Sequence, residues 1–110
     1  MVIRRATEAD AAALSELYLR HLTQTPPEEA QDIGKWKALI SSFEADPNYH
    51  LLVGEEDGAV VSSVTLVIIQ NLTHNLRPYA VMENVVTHAD YRGRGFASAL
   101  ITRARDIAVK

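Results

Sequence analysis

The first half of the chain carries apolar residues mainly at helical spacing. An alternating segment over residues 2–5 predicts a short first strand. Thr7 and the acidic residues that follow it are typical of a helix start, and the spacing predicts a helix over about residues 8–22. A second helix is predicted to open at Pro26-Pro27, where proline is tolerated, and to end near residue 46. The predicted inner face of this second helix consists of Ile33, Trp36, Lys37, Leu39, Ile40 and Phe43.

Beyond residue 47 the period of the pattern changes to two, which is typical of strands. Residues 50–55 and 59–70 predict two strands joined at Asp57-Gly58, a strong hairpin signal. A polar connection leads to a further strand over residues 79–87, and a helix is predicted over about residues 95–109. The order β-α-α-β-β-β-α predicts a single mixed α/β (α+β) domain over residues 1–110, with a mainly antiparallel sheet covered by helices.

The junction between the last strand and the last helix has the most specific chemistry in the chain. Gly93 and Gly95 permit positive φ angles or close approach of a ligand to the backbone. The N-terminus of the following helix offers free backbone N–H groups, and Arg92 and Arg94 stand beside them, so the junction suits a phosphate or pyrophosphate. An ordinary strand-to-helix turn needs the same glycines, however, and turn geometry alone would explain a lone Gly-x-Gly.

Two other nucleotide-binding motifs fit this junction less well. A dinucleotide-binding turn needs a third glycine where this chain has Ser98, and it belongs to a parallel sheet rather than an antiparallel meander. A Walker A loop needs a Gly-Lys-Ser/Thr sequence that the chain does not contain. A non-catalytic domain that binds another nucleotide stays open as an alternative.

The segment Arg92-Gly93-Arg94-Gly95-Phe96-Ala97 matches in full the acyl-CoA-binding motif of the GNAT family of N-acetyltransferases, Arg/Gln-x-x-Gly-x-Gly/Ala. The chain resembles this family in the order of its elements too. The resemblance implies the N-terminal two-thirds of the acetyltransferase fold, acetyl-CoA as co-substrate and a primary amine as acceptor. It implies that backbone N–H groups hold the pyrophosphate at Arg92, Gly93, Arg94, Gly95, Phe96 and Ala97. It also implies that the backbone runs beside the pantetheine arm, like a neighbouring strand, at Val85, Val86 and Thr87.

Glu83 lies within an otherwise apolar strand, where a carboxylate is costly unless it is paired or functional. The resemblance implies that Glu83 is the general base, often acting through water. An alkylammonium has a pKa of about 10.4 and must lose a proton before its nitrogen can attack a thioester. The alternatives are that Glu83 faces solvent or pairs with an arginine for structural reasons. His74 and Arg77, in the preceding connection, could meet the substrate, although loop polarity alone explains them.

The resemblance also carries an expectation about the end of the chain. Family members continue after this helix with a further strand, another helix and two closing strands, and a tyrosine there commonly protonates the leaving thiolate. No tyrosine of this sequence lies at a matching place. We therefore expect strand 79–87 to be an exposed apolar edge that pairs with a second copy, or the sequence to be a truncation. An acyl-CoA-binding or self-associating fragment without turnover is the alternative to an enzyme.

Composition narrows the class of partner. A formal net charge of −3 argues against a nucleic-acid-binding face, and no apolar run approaches the ~20 residues of a membrane span. The chain has no cysteine, and its four histidines lack metal-ligand spacing, so we expect no metal cofactor. The cytoplasm is the default location. The sequence leaves the acceptor amine unidentified, although the resemblance places residues 23–29 beside its site.

Overall fold

The computed structural model describes residues 1–23 and 32–109 and confirms the predicted order of elements. Short 3-10 turns lie at residues 8–10, 74–76 and 89–91. The predicted helix start at Pro26-Pro27 and most of segment 23–29 lie outside the described residues. The helices and strands are β1 (Val2–Arg5), α1 (Ala11–His21), α2 (Ile33–Ala45), β2 (Tyr49–Glu56), β3 (Ala59–Ile69), β4 (Tyr79–Thr87) and α3 (Phe96–Ala108).

The four strands form one sheet in the order β1-β2-β3-β4, and each neighbouring pair is antiparallel. The β2–β3 hairpin turns at Asp57 and Gly58, whose φ angles are 53° and 80°. Two successive positive φ angles are what a tight two-residue hairpin turn requires. The predicted mixed α/β class with an antiparallel sheet is therefore confirmed. Among the described residues no strand pairs with the outer side of β4, so β4 forms an edge there.

Helices cover both faces of the sheet, because alternate residues of each strand point to opposite sides. On one face, α1 and α2 enclose a buried cluster that consists of Ala6, Ala11, Leu14, Leu17, Ile40, Leu51, Val53 and Val86. On the other face, α3 completes a second cluster that consists of Leu52, Val64, Leu66, Leu100 and Ala104. The site residues of β4 are thus held between two separately packed layers.

An ion pair between β1 and the residue before α1 fixes the position at which α1 starts. The Arg4 guanidinium contacts both carboxylate oxygens of Asp10 at 2.8 Å and Glu55 at 2.6 Å. Asp10 also accepts a hydrogen bond from the Thr7 N–H at 2.8 Å. The bond to Arg4 lowers the pKa of Asp10 below its ordinary value, although burial opposes this. Residues 8–10 form a 3-10 turn, so α1 begins at Ala11 rather than near residue 8.

Helix α2 covers less of the sheet than its pattern predicts. Of the six residues assigned to its inner face, only Ile40 is buried, whereas Lys37 and Leu39 are exposed and the remaining three are half-buried. Leu39 keeps 56% of its surface accessible. The prediction for Lys37 and Leu39 was therefore wrong. The helix contacts the sheet along a narrow stripe and leaves a groove open beside it.

Candidate active site

Strand β4 contains a β-bulge at the centre of the predicted site. Thr65 of β3 pairs with Glu83, but Ser63 pairs with Val86, so two residues of β4 oppose one residue of β3. Asn84, the first of these two, has a φ of 53°. Asparagine tolerates this left-handed conformation better than most residues, and a bulge of this kind bends the strand. The sequence pattern did not predict the bulge.

The bulge changes which face of the sheet the following side chains occupy. Val86 packs into the cluster under α1, and Glu83 and Asn84 line the groove on that same face. Regular alternation would have sent Val86 to the opposite face from Glu83. Val85 keeps 37% of its surface exposed. The Thr87 hydroxyl lies 2.9 Å from Ser62 Oγ, which in turn donates to the Val86 carbonyl at 2.8 Å.

The turn after β4 forms a concave surface at the N-terminus of α3. Gly93 and Gly95 have φ angles of 77° and 85°, and a Cβ on either would meet no atom within 4 Å. The requirement for glycine is therefore conformational rather than steric. The first helical hydrogen bond runs from the Ala99 N–H to the Gly95 carbonyl at 3.0 Å. Three earlier N–H groups therefore lack helical carbonyl partners, and they belong to Phe96, Ala97 and Ser98.

We call this concavity the cradle. It has a volume of about 220 Å³ and is lined by Thr87, Tyr91, Arg92, Gly93, Gly95, Phe96, Ala97 and Ser98. Phe96 is buried beneath it and fixes the first turn of α3 to the sheet. Free N–H groups and the positive end of a 13-residue helix converge there, an arrangement that suits a phosphate or pyrophosphate.

The two arginines of the motif differ in their contacts. The Arg92 guanidinium donates to the Thr87 carbonyl at 3.1 Å and to the His21 carbonyl at 3.3 Å. It therefore ties the turn to the end of α1. Arg94 lies over the Tyr91 ring, 5.2 Å from its centroid, and makes no ion pair with any other described residue. Of the two guanidinium groups, Arg94 is the one free to meet an anion.

A row of rings leads from the end of α1 to the cradle. His21 and His88 lie 4.1 Å apart by their centroids, and Tyr91 continues the row to Phe96. The His21 Nδ1 accepts from the Ala89 N–H at 3.3 Å, so this nitrogen carries no proton in the observed arrangement. Desolvation, and then the charges of His88 and Arg92, lower the pKa of His21 below its ordinary value. Sequence spacing gave no signal for this contact, because its partners lie far apart in the chain.

Glu83 lies at a second concavity, which we call the groove. The groove is bounded by α1, α2 and the sheet and has a volume of about 400 Å³. Glu83 is exposed there, opposite Thr65. It makes no ion pair among the described residues, so a structural pair with an arginine is not seen there. The lining consists of Leu14, Tyr18, Lys35, Trp36, Leu39, Ile40, Phe43, Tyr49, Leu51, Thr65, Glu83 and Asn84.

Some polar residues singled out in the sequence lie away from these two concavities. His74 and Arg77 belong to the loop before β4, at the opposite end of that strand from the cradle. Within the described parts of the chain, no group of three histidine or acidic residues is placed to hold a metal ion. None of the helices described is long and apolar enough to cross a membrane.

Comparison with known proteins assigns the family. The chain matches the Acetyltransferase (GNAT) family over residues 12–110. It belongs to the GNAT family. A candidate acetyltransferase from Agrobacterium tumefaciens str. C58 is 33% identical, with a TM-score of 0.84, and the match covers 99% of this chain and 74% of that one. An acetyltransferase from Trypanosoma brucei is 28% identical, with a TM-score of 0.79 and coverage of 98% and 74%.

A third solved structure supports the fold alone. A transcriptional regulator from Bacillus halodurans C-125 is 23% identical, with a TM-score of 0.86, and the match covers 98% of this chain and 73% of that one.

GNAT acetyltransferases use acetyl-CoA as co-substrate and transfer its acetyl group to amine acceptors. The cradle fits such a co-substrate, because its N–H groups and the free Arg94 guanidinium suit a pyrophosphate.

Proposed function

We propose that this GNAT domain is an N-acetyltransferase that moves the acetyl group of acetyl-CoA to a primary amine by direct attack. One observation carries the proposal. On either side of the β4 bulge, the chain has a concavity at the N-terminus of α3 and a carboxylate, without an ion pair among the described residues, that lines a groove. These are the parts required to hold a diphosphate and to take a proton from an ammonium group.

The cradle is assigned to the diphosphate of the co-substrate. Its ligands are the backbone N–H groups from Gly93 to Ala97, since the Arg92 N–H already donates to the Ala89 carbonyl at 3.5 Å. Arg94 adds an exposed positive charge beside them. The main chain of Val85, Val86 and Thr87 lies along the unpaired side of β4, where it is assigned to the pantetheine arm. Acetyl-CoA supplies the acetyl group as a thioester.

Glu83 is assigned the role of general base. Its carboxylate accepts a proton from the acceptor ammonium, directly or through one water, and frees the nitrogen lone pair. The nitrogen forms a bond to the thioester carbonyl carbon as the carbon–sulfur bond breaks, and it loses its second proton to solvent to give the amide. The leaving thiolate takes a proton from solvent, since a thiol has an ordinary pKa of about 8.5. This scheme uses no metal, and we place the reaction in the cytoplasm.

The unpaired side of β4 favours a second candidate function. An exposed strand edge with apolar neighbours is a template for pairing, and Tyr79 is 52% exposed there. We propose that residues 1–110 belong to one acetyltransferase domain whose β4 edge is paired near Tyr79 by another strand, such as that of a second copy in a homodimer. Such pairing would leave the edge at Val85, Val86 and Thr87 open to the pantetheine arm. Without such pairing the chain would bind acyl-CoA but not turn it over.

The proposal is tested by measuring acetyl-CoA binding by calorimetry and CoA release in the presence of primary amines. Light scattering on the same sample gives the oligomeric state. Glu83→Gln is expected to lower kcat by about a hundredfold, with acetyl-CoA affinity unchanged, because it removes only the proton acceptor. Glu44→Gln on the exposed side of α2 is the matched control. Undiminished turnover by Glu83→Gln would reject the assigned base, and binding without turnover of any amine would favour the second candidate.

A further inference from the structure

The walls of the groove are apolar well beyond the position of Glu83. Its floor contains Leu14, Ile40 and Leu51, each no more than 5% exposed. Two pairs of rings line its sides. Tyr18 and Trp36 meet edge to face with centroids 5.6 Å apart, and Phe43 and Tyr49 are stacked at 4.5 Å. A ligand in the groove would therefore lie mainly against rings and aliphatic carbon.

Charge in the groove is sparse. Glu83 is the only carboxylate among the described residues that line it, and Lys35 is the only cation. One carboxylate can neutralise one ammonium. A polyamine or an amino sugar would bring further ammonium or hydroxyl groups against apolar walls, where unpaired polar groups are costly. The lining therefore fits a ligand with one positive charge at Glu83 and an apolar body.

The exposure of Leu39 fits the same picture. A leucine on a helix that keeps 56% of its surface accessible stabilises the free protein little, yet Leu39 borders the groove. The volume of about 400 Å³ is near the lower end of small-molecule sites, which suits a single ring on a short chain.

We propose that the acceptor is a small primary monoamine with an aromatic or branched aliphatic body, whose ammonium group meets Glu83 while its body lies between Trp36 and Leu39. This proposal rests on the proposed function in placing the acceptor amine at Glu83. It commits the groove to apolar amines and excludes polycationic and sugar acceptors.

Trp36 provides a direct test, because it is the only tryptophan in the chain and it lines the groove. We would titrate the full chain with 2-phenylethylamine, 2-phenylethanol, 1,4-diaminobutane and glucosamine, following tryptophan fluorescence. The expected result is a saturable change with 2-phenylethylamine at about tenfold lower concentration than with the other three, which corresponds to about 1.4 kcal/mol. The alcohol lacks the charge contact with Glu83, and the diamine and the amino sugar lack the apolar body and bring further polar groups against the walls. Equal or tighter binding of diaminobutane or glucosamine, or no saturable change with 2-phenylethylamine, would overturn the proposal.

Variants test the charge contact at Glu83 and the apolar contact at Leu39 separately. Glu83→Gln is expected to weaken 2-phenylethylamine about tenfold and to leave 2-phenylethanol unchanged, with Glu44→Gln as the matched control. Leu39→Ser is expected to weaken both ligands about threefold, because it removes apolar contact but no charge. An exposed leucine can be replaced without loss of the fold, so a variant that binds both ligands normally would contradict the assigned position of the body.

Turnover on the same samples distinguishes the failure of this inference from that of the proposed function. If 2-phenylethylamine binds as expected but no amine is acetylated, the groove assignment stands and the proposed enzyme fails. If glucosamine or diaminobutane is acetylated and 2-phenylethylamine does not bind, the enzyme stands and the apolar acceptor is rejected.

Discussion

The cradle and the groove lie on either side of the same bulge, yet different parts of the chain form them: mainly the backbone in the cradle and side chains in the groove. The cradle consists mainly of backbone N–H groups presented by one continuous turn, residues 92–98, and two glycine conformations shape it. The groove consists of side chains from two helices and three strands. Loss of one backbone conformation should therefore disable the cradle, whereas the groove should change by degrees as single side chains are replaced.

The largest effect is expected from Gly95→Val. Gly95 has a φ of 85°, which a β-branched residue adopts only with strain, so the turn must change its conformation or carry the strain. We expect acetyl-CoA affinity to fall about a hundredfold in calorimetry, equivalent to ~2.7 kcal/mol.

Gly58→Val is the matched control for this substitution. Gly58 has a φ of 80°, and an added Cβ there also meets no atom within 4 Å, but it lies in the β2–β3 hairpin. Both variants should lose similar stability, and only Gly95→Val should lose acetyl-CoA. A similar loss of affinity in both would mean that the cradle is not the binding site.

The bulge is expected to give the next largest effect, and it joins the two regions. Asn84 has a φ of 53° and an exposed side chain, so its backbone conformation matters more than its contacts. Asn84→Val should lower the free energy of unfolding by about 1–2 kcal/mol, whereas Asn84→Gly should stay within about 0.5 kcal/mol of the parent. Thermal unfolding followed by circular dichroism measures both. Equal stability of the two variants would show that the bulge does not depend on this residue.

These regions also differ in how far the sequence predicts them. The cradle is local, so Gly93, Gly95 and the helix after them could be placed from a short motif. The bulge was missed because strand 79–87 alternates well enough to be taken as regular, and one inserted residue is not visible in its pattern. The groove was missed because it is assembled across the fold. Leu39 has the spacing of a core residue, and only tertiary packing shows that nothing described covers it.

The motif arginines should respond in opposite ways. Arg94→Ala is expected to weaken acetyl-CoA about threefold to tenfold and to reduce the salt dependence of binding, with stability unchanged, because its charge is exposed. Arg92→Ala should lower the free energy of unfolding by about 1 kcal/mol, because Arg92 holds the carbonyls of Thr87 and His21. Calorimetry and urea unfolding of both variants test this. A loss of stability in Arg94→Ala, with an effect on acetyl-CoA binding alone in Arg92→Ala, would contradict the observed contacts.

The smallest effect is expected from pH, through His21 at the start of the row of rings. His88, Arg92 and Arg20 disfavour a proton on His21 and Asp90 favours one, and desolvation is the largest contribution to its lowered pKa. The unfolded chain therefore binds this proton at a higher pH than the folded chain does. Stability from this group is complete above the ordinary histidine pKa of about 6.5 and falls as pH drops from there to the folded pKa.

His21→Asn isolates this contribution. The asparagine oxygen can replace Nδ1 as acceptor for the Ala89 N–H at 3.3 Å, but it does not titrate. Urea unfolding between pH 7.5 and pH 5 should therefore show a shallower loss of stability in the variant than in the parent. Some loss should persist, because desolvation and Arg5 also lower the pKa of His50. An unchanged pH dependence in His21→Asn would mean that protonation of His21 does not contribute to the loss of stability in mild acid.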